Sequence, residues 1–272
     1  MTYTPVIPVA GYAGWAILKR TLAKQTETYV KSPEIKRDED YFRANIGKIT
    51  TAADLVNDRR LLQVALGAFG LEADINNKAF IQKVLEGGTL TTGSLANRLA
   101  DQQYLKLSAA FGFGDYATPS TQVSDFPTTI LKGYEARGFE AAVGDADGDL
   151  RLALNAEREL ATLAKSTSSD DTKWYTILGN TALKQVFTKA LGLPRSIGAI
   201  DLDQQLQVFK DKAATLFGDS TVSQFSDPTK VETVIRRFLV RSQAEAVANT
   251  IGPGAAALAM LQQTSANLRS RR

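Results

Sequence analysis

The sequence predicts an all-α fold, a multi-helix bundle built from helical hairpins. Strict alternation of apolar and polar residues, the pattern of half-buried strands, is nearly absent along the 272 residues. Apolar residues instead recur at steps of three and four, which places them on one face of a helix. Hydrophobic residues make up 44% of the chain and charged residues 22%, as in ordinary globular proteins, so a substantial apolar core can form.

The first segment, residues 1–14, is rich in Pro, Gly and Thr and is predicted to be an irregular N-terminal arm. It has no basic stretch before an apolar run, and no part of the chain approaches the roughly 20 consecutive apolar residues that cross a bilayer. We therefore expect neither a secretory signal peptide nor membrane insertion. A cytoplasmic location follows by default, and a protein exported without a cleaved signal, as in flagellar type III export, has the same pattern.

The first helical half is expected over residues 15–120. It opens with Trp15, Ile17, Leu18 and Leu22 at helical spacing. This apolar face either docks on the core, which is the commoner outcome, or is presented to a partner.

Three further helical segments are expected in this half, and each ends at a glycine. The first has Thr51 and Asp54 as a capping pair and stops at Gly70. The second ends at residues 87–88 and the third at Gly112. Glycine suits a helix end because it adopts the left-handed backbone conformation without a steric penalty.

The polar connection at residues 115–127 is the best boundary candidate, and the second helical half is expected over residues 121–242, packed with the first as one domain. Its helices are predicted at about 128–143, 150–165, 201–217 and 228–241. Asp227 caps the last of these, ahead of Pro228 in its first turn. The C-terminal helical tail, residues 243–272, contains Gly252-Pro253-Gly254 and is predicted to form two short helices with a kink.

Weak internal duplication accompanies these helix ends. LLQVALGAFGL at 61–71 matches LKQVFTKALGL at 183–193 at a fixed offset, and DQQYLKLSAAFGF at 101–113 echoes DRRLLQVALGAFGL at 58–71. In each copy an apolar helix ends at glycine and returns one large apolar residue to the bundle. Any helix ending in Gly-Leu gives a similar string, but Gln63 and Gln185 also match, which capping does not require.

The chain has no Cys and no His, which limits its chemistry. The usual structural zinc sites, thiol nucleophiles and histidine relays are therefore excluded, and carboxylate, Lys or Tyr chemistry remains. The net charge of +3 gives little reason to expect nucleic acid as a partner, because phosphate binding needs clustered cations. The one dense basic run consists of Arg269, Arg271 and Arg272, and we interpret it as a solvated terminus.

Asp145, Asp147 and Asp149 match positions one, three and five of a calcium loop. The motif then fails, because Leu150 replaces the glycine of the turn and Ala156 replaces the bidentate glutamate. We interpret the segment as a solvated turn in which Asp149 caps the next helix.

Three other candidates also have ordinary structural explanations. The glycine-rich segment GGTLTTGS at 87–94 lacks the lysine of a phosphate loop and is interpreted as a loop leading into a helix N-cap. Three arginines of a late helix are interpreted as a solvated face paired with acids, against an acidic partner or nucleic acid: Arg236, Arg237 and Arg241. Three carboxylates could either pair in a cleft or lie on exposed helix faces, and their spacing does not distinguish the two arrangements. These are Glu135, Glu140 and Glu157. No cofactor, catalytic residue or metal ligand is therefore assigned.

The strings YFRANIGKITTAADLVNDRRLLQVALGAFGLE at 41–72 and SLANRLADQQYLKLSAAFGF at 94–113 resemble a known family. Elements of the second half continue the match at 139–154, 173–194 and 227–239. The chain resembles, over roughly residues 11–242, the family called domain of unknown function 1217. Members are typically encoded in alphaproteobacterial flagellar gene clusters, and the family carries no established activity or cofactor.

The resemblance implies a non-enzymatic flagellum-associated protein that works through contacts with flagellar proteins in assembly, export or structure. The residues we expect to contact such partners are apolar side chains near the two termini: Tyr12, Trp15, Ile17, Leu18, Leu258, Met260 and Leu261. One alternative is an exported axial component of the flagellum. Another is a carboxylate-based enzyme or small-ligand binder whose site lies in a cleft between the two halves. The oligomeric state stays open.

Overall fold

The computed structural model describes residues 3–250, and no β-strand occurs within that range. The prediction of an all-α multi-helix fold is confirmed. The α-helices of these residues are α1 (Gly11–Val30), α2 (Pro33–Asn45), α3 (Ala52–Asn57), α4 (Arg59–Phe69), α5 (Lys78–Gly87), α6 (Leu95–Arg98), α7 (Gln102–Phe111), α8 (Phe126–Ala146), α9 (Gly148–Leu163), α10 (Asp170–Gly179), α11 (Thr181–Leu191), α12 (Leu202–Phe217) and α13 (Pro228–Thr250).

Helix α9 lies at the centre of the bundle. It packs against α8 on one side and against α11 and α13 on the other. Its buried face includes two alanines, Ala153 and Ala156, which let the neighbouring helices approach closely. Buried side chains from both halves belong to one continuous core.

The helix ends follow the sequence closely in the first half. Thr51 accepts a hydrogen bond from the backbone nitrogen of Asp54, and the Asp54 side chain accepts one from Thr51, so the predicted capping box is present. Helix α4 then ends at Gly70, whose φ of 75° lies in the left-handed region. The Leu71 nitrogen donates to the Leu66 carbonyl, which closes the turn and returns Leu71 to the core.

The same helix end recurs at α11. Gly192 has a φ of 71°, and the Leu193 nitrogen donates to the Thr188 carbonyl. Helices α4 and α11 both contain eleven residues. An arginine of a later helix lies over each glycine. A Cβ added to Gly70 would stand 2.9 Å from Nη1 of Arg137 on α8, and one added to Gly192 would stand 2.8 Å from Cζ of Arg241 on α13.

The order of elements also repeats beyond the matched strings. Helices α7 and α12 end at glycines with φ of 67° and 84°, Gly112 and Gly218. Each is followed by a 3₁₀ turn and by a long helix with proline in its first turn, α8 or α13. By this order α7 corresponds to α12, and the sequence match of α7 to α4 reflects their similar glycine ends.

Several predicted boundaries differ from the structure. The segments expected to run to Gly70 and to Gly112 are each divided into two helices, at Asp58 and at residues 99–101. The irregular arm was expected to reach residue 14, but α1 begins at Gly11. The last helix was expected to end near residue 241, but α13 continues to Thr250. The predicted kink at Gly252-Pro253-Gly254 lies outside the described residues.

Candidate functional site

The N-terminal residues predicted to contact partners are used mainly inside the molecule. Trp15 is 1% exposed and Leu18 is fully buried, so the expectation that these two are open to a partner is wrong. The Trp15 indole nitrogen donates to the carboxylate of Glu232 on α13 at 3.0 and 3.1 Å. Tyr12 and Ile17 are half-buried. The three C-terminal candidates lie outside the described residues: Leu258, Met260 and Leu261.

The contacts of α1 bring the start of the chain against α13. The guanidinium of Arg236 lies 5.5 Å from the centre of the Tyr12 ring. A Cβ added to Gly11 would stand 2.6 Å from the side-chain oxygen of Gln243, so these two residues are in close contact. The described part of the N-terminal arm folds back along α1, since the backbone nitrogen of Val6 donates to the Gln25 side chain at 2.8 Å.

Exposed valines lie near this junction. Val240 and Val247 of α13 are 50% and 52% exposed, and their spacing of seven residues places them on one face of the helix. Val9, 45% exposed, precedes Gly11 by two residues, and its carbonyl lies against Gly14 of α1. We call these three residues, Val9, Val240 and Val247, the terminal surface.

A larger concave feature lies between the two halves, and we call it the inter-half cleft. Its volume is about 650 Å³. The walls come from the end of α4, the start of α7, the inner faces of α8 and α9, and the start of α11. Its polar lining includes Lys106, Arg137, Glu140, Asn155 and Glu159.

A charged network forms one wall of the cleft. Arg158 binds Glu140 through two nitrogens, at 2.7 and 3.0 Å, and Glu159 through the third at 2.6 Å. Glu159 also accepts hydrogen bonds from Lys106 and Arg137, both at 3.0 Å. The carboxylates are therefore held by cations on several sides.

This pairing sets the ionisation of Glu159. Burial alone raises the pKa of its carboxyl, but the positive charges of Lys106, Arg158 and Arg137 outweigh burial and hold the pKa below its usual value. A carboxylic acid that donates a proton near neutral pH needs a raised pKa. The cleft therefore does not present Glu159 as a general acid.

The three glutamates singled out in the sequence do not gather at one place. Glu140 joins the cleft network, whereas Glu157 pairs with Lys19 at 2.6 Å. Glu135 lies beside Glu39 of α2, and the two carboxyls share a hydrogen bond. Desolvation, followed by the charge of Glu135, raises the pKa of Glu39 to about 7. Oε1 of Glu39 is buried without a hydrogen-bond partner, and the charge of Arg43 only partly offsets the rise in pKa.

The aspartates with calcium-loop spacing form a helix cap. Asp147, not Asp149, is the N-cap of α9, and its carboxylate accepts from the backbone nitrogens of Asp149 and Leu150 at 2.9 and 3.0 Å. The sequence interpretation misplaced the cap by two residues because either aspartate suits the position. Among residues 3–250, no cluster of three or more acidic side chains is arranged to hold a metal ion.

The glycine-rich loop binds an internal carboxylate. Asp115 accepts hydrogen bonds from the backbone nitrogens of Thr89 and Leu90 at 2.6 and 3.0 Å, and from the Thr89 hydroxyl at 2.8 Å. Burial raises the pKa of Asp115, but these hydrogen bonds outweigh it and hold the pKa below its usual range. Three donors of this loop are therefore already occupied by the protein itself.

The arginines of α13 have separate intramolecular roles. Arg237 donates to the Ala190 carbonyl at 2.9 Å and so caps the end of α11. Arg236 lies over Tyr12 and Arg241 over Gly192. Their contacts are with a carbonyl, an aromatic ring and backbone, so the expected pairing with acids does not describe these arginines.

Sequence reasoning missed the cleft network. Its members are spread over α7, α8 and α9, and only the fold brings them together. A local indication was present, because Arg137 and Glu140 are three residues apart and Glu157-Arg158-Glu159 alternates in charge on the next helix. Such pairs are also common on exposed helix faces, so the pattern alone does not identify a cleft.

Comparisons with other proteins agree with the fold. A family model described as protein of unknown function (DUF1217) matches residues 68–231. The chain is also similar to an Agrobacterium tumefaciens protein whose X-ray crystal structure was a structural genomics target, with 27% identity and a TM-score of 0.70 over 89% of this chain and 99% of that one. No curated protein matches the chain significantly. Within the described residues, none of the helices is long and apolar enough to cross a membrane.

Proposed function

The chain belongs to the DUF1217 family of proteins of unknown function, and from this premise we propose that it is a non-enzymatic flagellum-associated protein. It acts through protein–protein contacts as an assembly, export or structural accessory factor. The flagellar setting is supported by the family resemblance, because members are typically encoded in flagellar gene clusters. Its location is the cytoplasm, or the flagellum after export without a cleaved signal.

The terminal surface is the observation that carries a contact role. Its three valines expose apolar area at the junction of α1 and α13, and two of them form a stripe with the seven-residue spacing of a helix–helix seam. An amphipathic helix of a flagellar protein that lies along α13 would cover Val240 and Val247 together. Leu258, Met260 and Leu261 follow α13 in the sequence and are the next candidates for the same contact.

Site-specific crosslinking tests this proposal. A photoreactive amino acid at position 247 is expected to capture a flagellar protein in flagellated cells, identified by mass spectrometry. Position 123 is a matched control, because Val123 and Val247 are equally exposed at 52% and Val123 lies far along the chain in the connection before α8. Capture of the same proteins at both positions would contradict a specific terminal contact.

A charge substitution at the same two positions tests whether the contact matters for motility. Val247→Glu is expected to reduce motility, whereas Val123→Glu leaves it unchanged, and both variants keep the stability of the parent because the side chains are exposed. A deletion strain that swims normally and assembles complete flagella would refute the flagellar role.

Fractionation separates the two flagellar alternatives. An accessory factor remains with the cell body, whereas an exported axial component is detected in sheared and washed filaments. The packing of α1 against α13 pairs the first and last described helices, which is compatible with export.

A further inference from the structure

A second concave feature lies between α1, α2, α4 and α8, and we call it the tyrosine pocket. Its aromatic lining comes from Tyr29 of α1, Tyr134 of α8 and Tyr3 of the N-terminal arm. The rings of Tyr3 and Tyr29 stand nearly at right angles, at 72°, with their centres 5.6 Å apart. The pocket volume is about 270 Å³, which suits a group about the size of one long side chain.

Two glycines inside helices seat two of these rings. A Cβ added to Gly67 of α4 would stand 2.9 Å from Cδ2 of Tyr134, and one added to Gly138 of α8 would overlap the Tyr29 hydroxyl. Both glycines line the pocket. Glycine within a helix is unfavourable relative to alanine, so at these positions helix stability is lost and close contact with the tyrosines is gained.

The hydroxyl of Tyr29 has unused hydrogen-bonding capacity. Tyr29 is 7% exposed, and its hydroxyl oxygen lies against Gly138, yet it has no hydrogen-bond partner among residues 3–250. The Tyr134 hydroxyl, in contrast, donates to Asp38 at 3.2 Å. A phenolic oxygen can accept hydrogen bonds, so Tyr29 offers an acceptor to a ligand with N–H donors.

The charges around the pocket favour a cation. Burial, followed by the charges of four carboxylates, raises the pKa of the Tyr29 hydroxyl, which therefore stays neutral in negative surroundings: Glu34, Glu39, Asp38 and Glu135. Three exposed carboxylates also line the pocket and thus lie at its mouth: Glu34, Glu72 and Asp145. Glu34 and Asp145 form no ion pair within the part of the chain that the structure describes.

The negative excess remains when the partners of the lining residues are counted. Arg137 is the one cation among the described residues that line the pocket, and it already binds Glu159 at 3.0 Å. Glu72 has Arg151 at 3.5 Å. The three carboxylates at the mouth together with Glu159 therefore face two arginines, which leaves two negative charges without a cation.

From this arrangement we infer that the tyrosine pocket binds an alkylammonium group. The aliphatic stem lies against the apolar part of the lining, which includes Ile35 and Ala142, and the ammonium lies at the faces of the tyrosine rings. An ammonium has three N–H donors, and the Tyr29 hydroxyl and the carboxylates of the mouth provide acceptors for them. A free amine and a lysine side chain of another protein share this chemistry. The inference stands independently of the flagellar role.

An NMR titration of the nitrogen-15-labelled protein tests the site at neutral pH. The probe is butylammonium chloride, the uncharged control of similar shape is 1-butanol, and sodium chloride of equal ionic strength is the reference. Butylammonium is expected to shift the amide resonances of Gly67 and Gly138 saturably, and to bind at least about tenfold more tightly than 1-butanol. The amides of Gly198 and Gly218, which do not line the pocket, should stay in place.

A third probe separates the two sources of the ammonium. N-acetyl-lysinamide carries the same group on a peptide backbone. Saturation by this compound at concentrations similar to those of butylammonium identifies a lysine side chain as a ligand that fits. Saturation by butylammonium alone identifies a free amine.

Variants at exposed positions connect the binding to the pocket. Glu34→Gln combined with Asp145→Asn removes two carboxylates from the mouth and is expected to weaken butylammonium binding at least about fivefold. Both side chains are exposed, so the fold is retained. Glu86→Gln combined with Asp211→Asn is the matched control, because it removes the same charge from exposed positions outside the pocket and should change binding by less than about twofold.

Tyr29→Phe tests the hydroxyl separately, because phenylalanine keeps the ring. Binding is expected to weaken by about threefold or more. If this variant fails to fold, the exposed pair at the mouth still decides the question. Absence of saturable shifts at Gly67 and Gly138 overturns the inference. Equal binding of 1-butanol and butylammonium, or equal binding by the parent and the Glu34/Asp145 double variant, overturns it as well.

Discussion

Replacing Glu39 by glutamine removes an ionisable group from a buried acid pair and should change how stability depends on pH. Glu39 is 8% exposed, and desolvation and Glu135 raise its pKa from 4.5 to about 7. The folded protein therefore keeps this proton between those pH values, whereas the unfolded chain loses it. The free energy of unfolding contributed by this group is full below pH 4.5 and falls as pH rises to about 7.

The magnitude follows from the two pKa values. At about 1.4 kcal/mol for each tenfold change, the raised pKa corresponds to at most roughly 3.5 kcal/mol. Because the proton is shared with Glu135 and the neighbouring side chains relax, we expect about half of that, on the order of 1.5 kcal/mol. Glutamine has a similar shape and does not ionise, so Glu39→Gln lacks the decline.

Urea unfolding measured from pH 4.5 to pH 8 provides the assay. The stability of Glu39→Gln relative to the parent is expected to rise by about 1.5 kcal/mol across this interval. Glu34→Gln is the control, because Glu34 is an exposed glutamate on the same helix. Parallel pH curves for Glu39→Gln and the parent would refute the reasoning.

Three further substitutions test the helix ends and the N-terminal packing. Gly192→Ala should lower the unfolding free energy by about 1–2 kcal/mol, because alanine is strained at a φ of 71°. Gly179→Ala is the control: this glycine lies at a helix end with open space around it, so the loss should be less than about 0.5 kcal/mol. Thermal unfolding of the two variants distinguishes these outcomes. Asp58→Ala removes the acceptor for two backbone nitrogens of α4 and should destabilise by about 1–2 kcal/mol in urea, and no measurable loss would contradict its capping role. Trp15→Phe keeps the ring in the core but loses the hydrogen bonds to Glu232, so a loss of about 1–3 kcal/mol is expected; equal stability at neutral pH would show that these bonds contribute nothing.

The helix ends could be predicted from sequence because their physics is local. Thr51 with Asp54, and Gly70 and Gly192, act within one turn of chain, and all have the predicted conformations. Asp227 likewise caps α13, since its carboxylate accepts from the Thr229 nitrogen at 2.8 Å.

The N-terminal boundary failed because glycine has two roles. Gly11 and Gly14 predict irregular chain from sequence, but both lie within α1. Gly11 has a φ of 68°, which turns the arm into the helix. At Gly14 a Cβ would stand 2.0 Å from the Val9 carbonyl oxygen, so the missing side chain lets the arm pack on α1. A single sequence does not reveal which backbone will approach a glycine.

The cleft could not be predicted for a different reason. Arg137 and Arg241 occupy similar positions over the glycines of α4 and α11, yet only Arg137 is enclosed, while Arg241 is exposed. The difference comes from α9, which lies between the repeated elements and supplies Asn155 and Glu159. The repeated helices therefore provide two similar glycine ends with an arginine over each. The helix between them, α9, supplies polar partners around Arg137 alone. The local sequence pattern identifies the repeated helix ends, whereas the charged cleft depends on which helices α9 packs between.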